Sequence, residues 1–269
     1  MSPRRRSTPD RTVVPTVIIV ALVAVIVGLT GYVIGRGVGT PTSSAIRPHL
    51  GSGNPSPSAT PSLADVARTA LSKTVTVEAL RSADEEFGTG WLYDGQGDFV
   101  TNAHVVDGAL VIRLRDRSGT THVGLLLGLD RDQDIAVVRA QGGFAGPPLI
   151  PSGITPAVSE AVVAIASGRA TGHADVTVEL IAKLHAEVPV KGNPEVDPAA
   201  HATTTTYHDM INIGGAQIFP GNSGGPVMDA SGRVIGIVTL ASKTGDQAFA
   251  IPLGRVLAVI QGLIQSAPT

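Results

Sequence analysis

From Leu63 to the C-terminus the apolar segments are short, rich in Val and Ile, and broken every few residues by Gly, Asp or Pro. This pattern restricts the fold more than any other feature of the chain. β-Branched residues suit a pleated, half-buried surface, and runs of roughly four to eight of them are too short for a core helix. Strands are predicted over Thr74–Ala79, Gly88–Tyr93, Phe99–Thr101, Leu110–Leu114, Gly124–Asp130, Ile135–Arg139, Ala161–Ile165, Val176–Leu184, Pro226–Met228, Val234–Thr239 and Gln247–Ile251. "DGQGD" from Asp94 and "DASGR" from Asp229 supply hairpin turns. Helical spacing of apolar residues occurs only at Leu63–Leu71 and at Gly254–Ile264, where Leu257, Ile260 and Ile264 share a face. Many strands and few helices predict an all-β fold, a sandwich or a pair of barrels.

The preceding residues read differently. Val13–Ile34 is an uncharged apolar stretch of roughly 22 residues, long enough at about 1.5 Å per residue to cross a bilayer. A cleaved secretory signal is the rival reading. Its apolar core would be about 7–15 residues and would end at a small-residue cleavage site, which "GYVIGRGVGTPTSSA" does not supply cleanly. Arg4, Arg5, Arg6 and Arg11 precede the stretch and only Arg36 and Arg47 follow it closely, so the positive-inside rule puts the N-terminus in the cytoplasm. Residues 37–62 are dominated by Gly, Pro, Ser and Thr, with too little apolar content to fold. The expected organisation is a cytoplasmic segment at 1–12, one transmembrane helix at 13–35, a linker at 36–62 and a globular domain at 63–269. The chain is then a single-pass protein of the cell membrane with its domain extracytoplasmic.

Composition excludes several functions. The chain has no cysteine, hence no disulfide or thiolate metal site. A net charge of −2 with scattered Lys and Arg gives no basic stripe for nucleic acid. His173, His185, His201 and His208 fall in one stretch, but no spacing resembles H-E-x-x-H or a facial triad, so no metal and no cofactor is expected. "EVPVKGNPEVDPAAHATTTTYHDM" from Glu187 to Met210 is a long polar segment read as a loop that could gate activity.

Chemistry points to Ser223. Gly221-Asn222-Ser223-Gly224-Gly225 satisfies G-x-S-x-G, but the α/β-hydrolase elbow needs its histidine after the serine. All seven histidines lie upstream, so that reading fails. A subtilisin order, Asp before His, has no support either. The order left open is His, Asp, Ser. "FVTNAHVV" places His104 just past a short strand, and "DRDQDIAVVRA" places Asp134 at the head of a buried-looking one, with Asp130 and Asp132 as alternatives. A serine hydroxyl needs a base to take its proton, and the base needs an orienting group. Backbone N–H groups of Gly221 and Ser223 are candidates for an oxyanion hole, since glycine lets both amides point into one space.

"TNAHVV", "DIAVV" and "PGNSGGPV" followed by "GRVIGIV" resemble the trypsin-like serine proteases, more specifically the HtrA/Do type. "EFGTGWLYD" and "AFAIP" extend the similarity over about Leu63 to Ile264. The resemblance implies two six-stranded antiparallel β-barrels with the active site in the cleft between them and a C-terminal helix. It implies His104 as general base and acid, Asp134 as its orienter, Ser223 as nucleophile, and an acyl-enzyme hydrolysed by water. Two departures stand out. The family often has T-D-A-A-I-N before P-G-N-S, where this chain has "IGGAQIF", with Gly215 and Phe219 in place of the acid and the amide. No PDZ domain is expected after residue 264.

The specificity pocket is expected from Gly215, Gln217 and Ile218 with Thr239, Leu240 and Ala241, a wall containing no acid, which favours small or medium apolar side chains. The expected function is a membrane-anchored extracytoplasmic serine endopeptidase acting on proteins or peptides. The alternative is a protease-fold binding or sensing module with a latent oxyanion site.

Overall fold

The computed structural model describes residues 61–144, 146–167, 176–191, 204–215, 221–241 and 247–267. All of them lie in one compact unit, Asn54–Thr269. The expected cytoplasmic segment, the membrane span Val13–Ile34, nearly all of the linker, and Gln217 and Ile218 of the specificity pocket lie outside the described residues. Among the described residues no helix is long and apolar enough to cross a membrane.

The chain opens with α1 (Leu63–Leu71), capped by Ser62, whose side chain accepts from the Asp65 N–H at 3.2 Å. Its apolar face, Val66, Ala67 and Ala70, is buried. Six strands follow: β1 (Thr74–Leu80), β2 (Glu85–Leu92), β3 (Asp98–Thr101), then, after the short helix α2 (Ala103–Val106), β4 (Val111–Arg115), β5 (Thr121–Asp130) and β6 (Ile135–Ala140). They close into a barrel in the order β1-β2-β3-β6-β5-β4. The alternation that predicts these strands puts Val75, Val77, Leu92, Phe99, Ile112, Leu114 and Val138 inside one apolar cluster.

The second half contains β7 (Ile150–Pro151), β8 (Ala161–Ile165), β9 (Val176–Lys191), β10 (Thr204–Gly214), β11 (Pro226–Met228), β12 (Arg233–Ala241) and β13 (Gln247–Pro252). They form a sheet in the order β11-β8-β9-β10-β13-β12-β7, and β11 also pairs with β12. Helix α3 (Leu253–Gln265) buries Leu253, Val256 and Ile260 and packs back on β5 and β6. A core drawn from both halves joins them: Trp91, Ile135 and Val137 cluster with Met210, Ile237 and Phe249.

Three elements differ from the sequence reading. Of the segment read as a polar loop from Glu187 to Met210, residues 187–191 and 204–210 are strand arms instead, while 192–203 lie outside the described residues. β9 runs seven residues past Leu184, to Lys191, and Thr204–Gly214 pairs with it antiparallel. Its polar residues sit on exposed positions of a strand pair, where a core-facing apolar alternation is not needed. The turn of α2 after Asn102 and the two-residue β7 are too short to leave a periodic signal.

Candidate active site

Asn102 ends the run from β3 and α2 turns the chain at once, so His104 leaves the barrel with its side chain 45% exposed. Its Nδ1 lies 2.9 Å from Asp134 Oδ2 and 3.0 Å from Oδ1, and its backbone N–H donates to Asp134 Oδ1 at 3.0 Å. Asp134 takes φ 54°, a left-handed conformation that Asp tolerates better than most residues, immediately before β6. The Asn102 side-chain amide donates to the Asp134 carbonyl at 2.9 Å and fixes that turn. The Thr239 hydroxyl, arriving on β12 from the second half, donates to Asp134 Oδ2 at 2.6 Å. A carboxylate can only accept, so these contacts suit a His104 ring that donates from Nδ1 and keeps Nε2 for another partner. Asp130 is engaged elsewhere, accepting from the Gln133 N–H at 2.9 Å, and Asp132 is exposed.

Ser223 is held by its neighbours' backbone. Its carbonyl accepts from the Thr89 N–H at 2.7 Å, and the Thr89 hydroxyl donates to the Gly221 carbonyl at 2.8 Å. Thr89 is fully buried, and its hydroxyl also accepts from the Ser167 N–H at 2.9 Å. On the other side Gly224 N–H donates to Val238 and Val238 N–H to Gly225, so the loop is clamped between β2 and β12. Gly224 has φ 87°, and a Cβ there would collide with the Thr89 carbonyl and with Thr101.

Gly88 brings the two parts together. A Cβ on it would lie 2.7 Å from the Val105 methyls of α2 and 3.0 Å from the Ser223 carbonyl. The residue after His104 and the nucleophile candidate therefore flank one glycine. The Asn222 carbonyl accepts from the Gly225 N–H at 3.0 Å. Because N–H and C=O of one peptide point in opposite directions, the Ser223 N–H faces away from that bond. Among the described residues neither the Ser223 nor the Gly221 N–H has a protein acceptor. Two unpaired amides flanking a hydroxyl suit a developing oxyanion.

A cleft of about 310 Å³ is lined by His104, Asp107, Arg131, Asp134, Tyr207, Thr239 and Leu240. Tyr207 on β10 is a wall that the sequence did not reveal. Its partial burial, with the Asp134 charge adding to the effect, raises its phenol pKa above the ordinary value. Asp107 and Arg131 form a two-point ion pair at the rim, 2.7 Å at each contact. Of the expected specificity residues, Leu240 and Thr239 line this cleft, while Ala241 pairs with Ala248. Gly215 is exposed, at φ 70°, beside the Glu179 carboxylate of β9, an acid that the sequence reading of this wall did not include. Among the described residues no cluster suits a metal ion.

Gly88 and Val105 bring the Ser223 loop close to His104, and among the described residues no hydrogen bond joins the Ser223 hydroxyl to the His104 ring. A trypsin-like peptidase domain model matches residues 88–237, and the chain belongs to that family. The chain is 33% identical over 184 residues to "Protease Do-like 1, chloroplastic" of Arabidopsis thaliana, covering 66% of this chain and 39% of that protein. It is 36% identical over 175 residues to "Putative serine protease HhoA" of Synechocystis, covering 64% of this chain and 41% of the relative. The chain thus spans about two fifths of the length of these curated relatives. Among solved structures it resembles the HtrA-type protease AlgW with tripeptide, at TM-score 0.61 and 29% identity, covering 76% of this chain and 64% of that one. It also resembles the serine endoprotease of Yersinia pestis, at TM-score 0.58 and 26% identity, covering 74% and 65% respectively.

Proposed function

We propose that this protein is a membrane-anchored serine endopeptidase that hydrolyses protein or peptide substrates outside the cytoplasm. His104 takes the Ser223 proton as Oγ attacks the scissile carbonyl. Asp134 holds the imidazole tautomer and supports the imidazolium that forms. The Gly221 and Ser223 N–H groups receive the oxyanion. His104 then protonates the leaving amine, an acyl-enzyme forms on Ser223, and water, activated by His104, releases it. No cofactor or metal enters these steps.

The observation that carries this reading is the chain of contacts from Thr239 through Asp134 to His104, beside a Ser223 loop whose Gly221 and Ser223 N–H groups have no acceptor among the described residues. The second half is read as a six-stranded barrel, since β11 pairs with both β8 and β12. In the proposed organisation residues 1–12 are cytoplasmic, 13–35 cross the membrane, 36–62 tether and 63–269 form the protease domain, an arrangement supported by the apolar stretch Val13–Ile34 and the arginines before it.

Gly215, Gln217, Ile218, Thr239, Leu240 and Ala241 are the proposed surroundings of the specificity pocket, with a preference for small or medium apolar side chains. A peptide library tests that preference, and strong cleavage after Lys or Arg would overturn it and direct attention to Glu179. Activity itself is tested by labelling with a fluorophosphonate probe. Labelling of the wild type, lost in both Ser223→Ala and His104→Ala, is the expected result. A folded wild type that stays unlabelled would favour a binding or sensing role for the same fold.

A further inference from the structure

The helix that carries His104 is a single turn, Ala103–Val106, too short to satisfy its own carbonyl groups. The backbone satisfies two of them: the Asp107 N–H donates to Ala103 at 2.8 Å and the Ala109 N–H to Val106 at 3.1 Å. The carbonyls of His104, Val105 and Asp107 accept instead from one side chain. Arg81 donates from Nη2 to His104 at 2.7 Å and to Val105 at 3.4 Å, and from Nε to Asp107 at 2.9 Å. It therefore closes the end of α2 that the chain itself leaves open.

Arg81 is itself held. It opens the turn between β1 and β2, where its backbone N–H donates to the Asp84 carbonyl at 2.9 Å. Its side chain is 22% exposed, and Nη1 faces Glu86 at 3.5 Å and Asp84 at 3.8 Å. A guanidinium carries its donors in one rigid plane, so a fork seated on several carbonyls fixes them relative to one another, which an ammonium on a flexible stem does not. Arg81 does not line the cleft at His104.

The backbone of His104 is thus gripped on both sides, its N–H by Asp134 Oδ1 and its carbonyl by Arg81. The β1–β2 hairpin also meets α2 twice. Gly88 of β2 leaves room for the Val105 methyls, and Arg81 takes the carbonyl of that same residue. Gly88 adjoins the Ser223 carbonyl as well, so a shift of α2 over this glycine changes the separation of His104 and Ser223. We infer that Arg81 is a positioning residue for hydrolysis, fixing the backbone of His104 as Asp134 fixes its ring. This role rests on the reading of His104 as the base for Ser223. Small displacements of a base are costly to the chemical step, and a residue remote from substrate affects that step and not binding.

The test compares the full chain in lipid nanodiscs with Arg81→Gln, Arg81→Lys and Glu86→Gln, each checked for folding by urea unfolding. On a peptide substrate Arg81→Gln should lower kcat by about 10–100-fold and leave KM within about twofold of wild type. Arg81→Lys keeps the charge without the fork and should fall between the two, and it carries the same tests if Arg81→Gln does not fold. Glu86→Gln removes a contact to Nη1 and none to the carbonyls, so its kcat should stay within about twofold of wild type. A second measurement needs no turnover. In protein labelled with 15N-histidine, the His104 Nδ1–H resonance, assigned by its loss in His104→Ala, should exchange with water at least about tenfold faster in Arg81→Gln. Wild-type kcat in folded Arg81→Gln, a loss confined to stability or to KM, or an unchanged exchange rate would each overturn the inference. Fluorophosphonate labelling of the wild type decides the endopeptidase reading separately. If that labelling fails, the Nδ1–H exchange rate still decides whether Arg81 holds His104.

Discussion

The Thr239 hydroxyl lies 2.6 Å from Asp134 Oδ2 and so ties the second sheet to a carboxylate on the first barrel. Both residues are buried, Asp134 at 8% and Thr239 at 5% exposure, so this bond is sheltered from competing water. Hydrogen bonds to charged groups contribute about 1.5–3 kcal/mol. Thr239→Val keeps the shape and removes the donor, and kcat/KM should fall by roughly 10–100-fold with the fold intact. Thr239→Ser should recover most of it. An unchanged rate in Thr239→Val would show that the His104 N–H and Nδ1 contacts orient the carboxylate without help.

Asp134→Asn discriminates orientation from charge. The left-handed φ of 54° suits Asn as well as Asp, so backbone strain is not added. An amide that turns its NH2 toward His104 Nδ1 imposes the wrong tautomer, and kcat should drop by about four orders of magnitude. Substrate binding, read as KM for a slow substrate, should change little. A drop of only a few-fold would argue that Asp134 is not the group that fixes the imidazole.

Much of this arrangement was legible in the sequence because its parts depend on local chemistry. Glycines at 224 and 225, a histidine after a buried strand, and an aspartate heading another are readable one segment at a time. α1 and the barrel strands followed from apolar period alone. What escaped were relationships that exist only after folding. Thr239 sits in a Val/Ile-rich segment and looks like wall, yet its hydroxyl reaches a carboxylate 105 residues earlier. Tyr207 sits in a polar run with no periodicity, and only the pairing of β10 with β9 and β13 carries it to the cleft. Thr89 looks like an ordinary strand residue between two glycines.

Thr89 gives the third prediction. Its hydroxyl donates to the Gly221 carbonyl and accepts from Ser167, while its backbone N–H holds Ser223. Thr89→Val preserves the backbone contact and leaves the buried Gly221 carbonyl without that donor, so the peptide that follows Gly221 is freed to rotate. Stability should fall by about 1–3 kcal/mol, and kcat should fall with little change in KM, since the proposed oxyanion donors would serve the transition state. Thr89→Ser should restore both. Loss of stability with kcat untouched would assign Thr89 a purely structural role.

The fourth prediction concerns acid. The Arg131 guanidinium, bonded to both oxygens of Asp107, holds that carboxyl below its ordinary pKa. The folded protein therefore binds this proton less tightly than the unfolded chain does. The pair stabilises fully above the unfolded Asp value of about 3.9, and that contribution disappears as pH falls through the lower folded value. Arg131 is 70% exposed, so the effect is small and screened by salt. In urea unfolding, wild type should exceed Asp107→Asn by a small, constant margin between about pH 5 and 7. The margin should narrow steadily below about pH 4 and shrink at all pH values in high salt. A margin that widens on acidification would mean that Asp107 stabilises through packing or through its neutral form, and the ion pair at the rim would then have no part in holding the cleft.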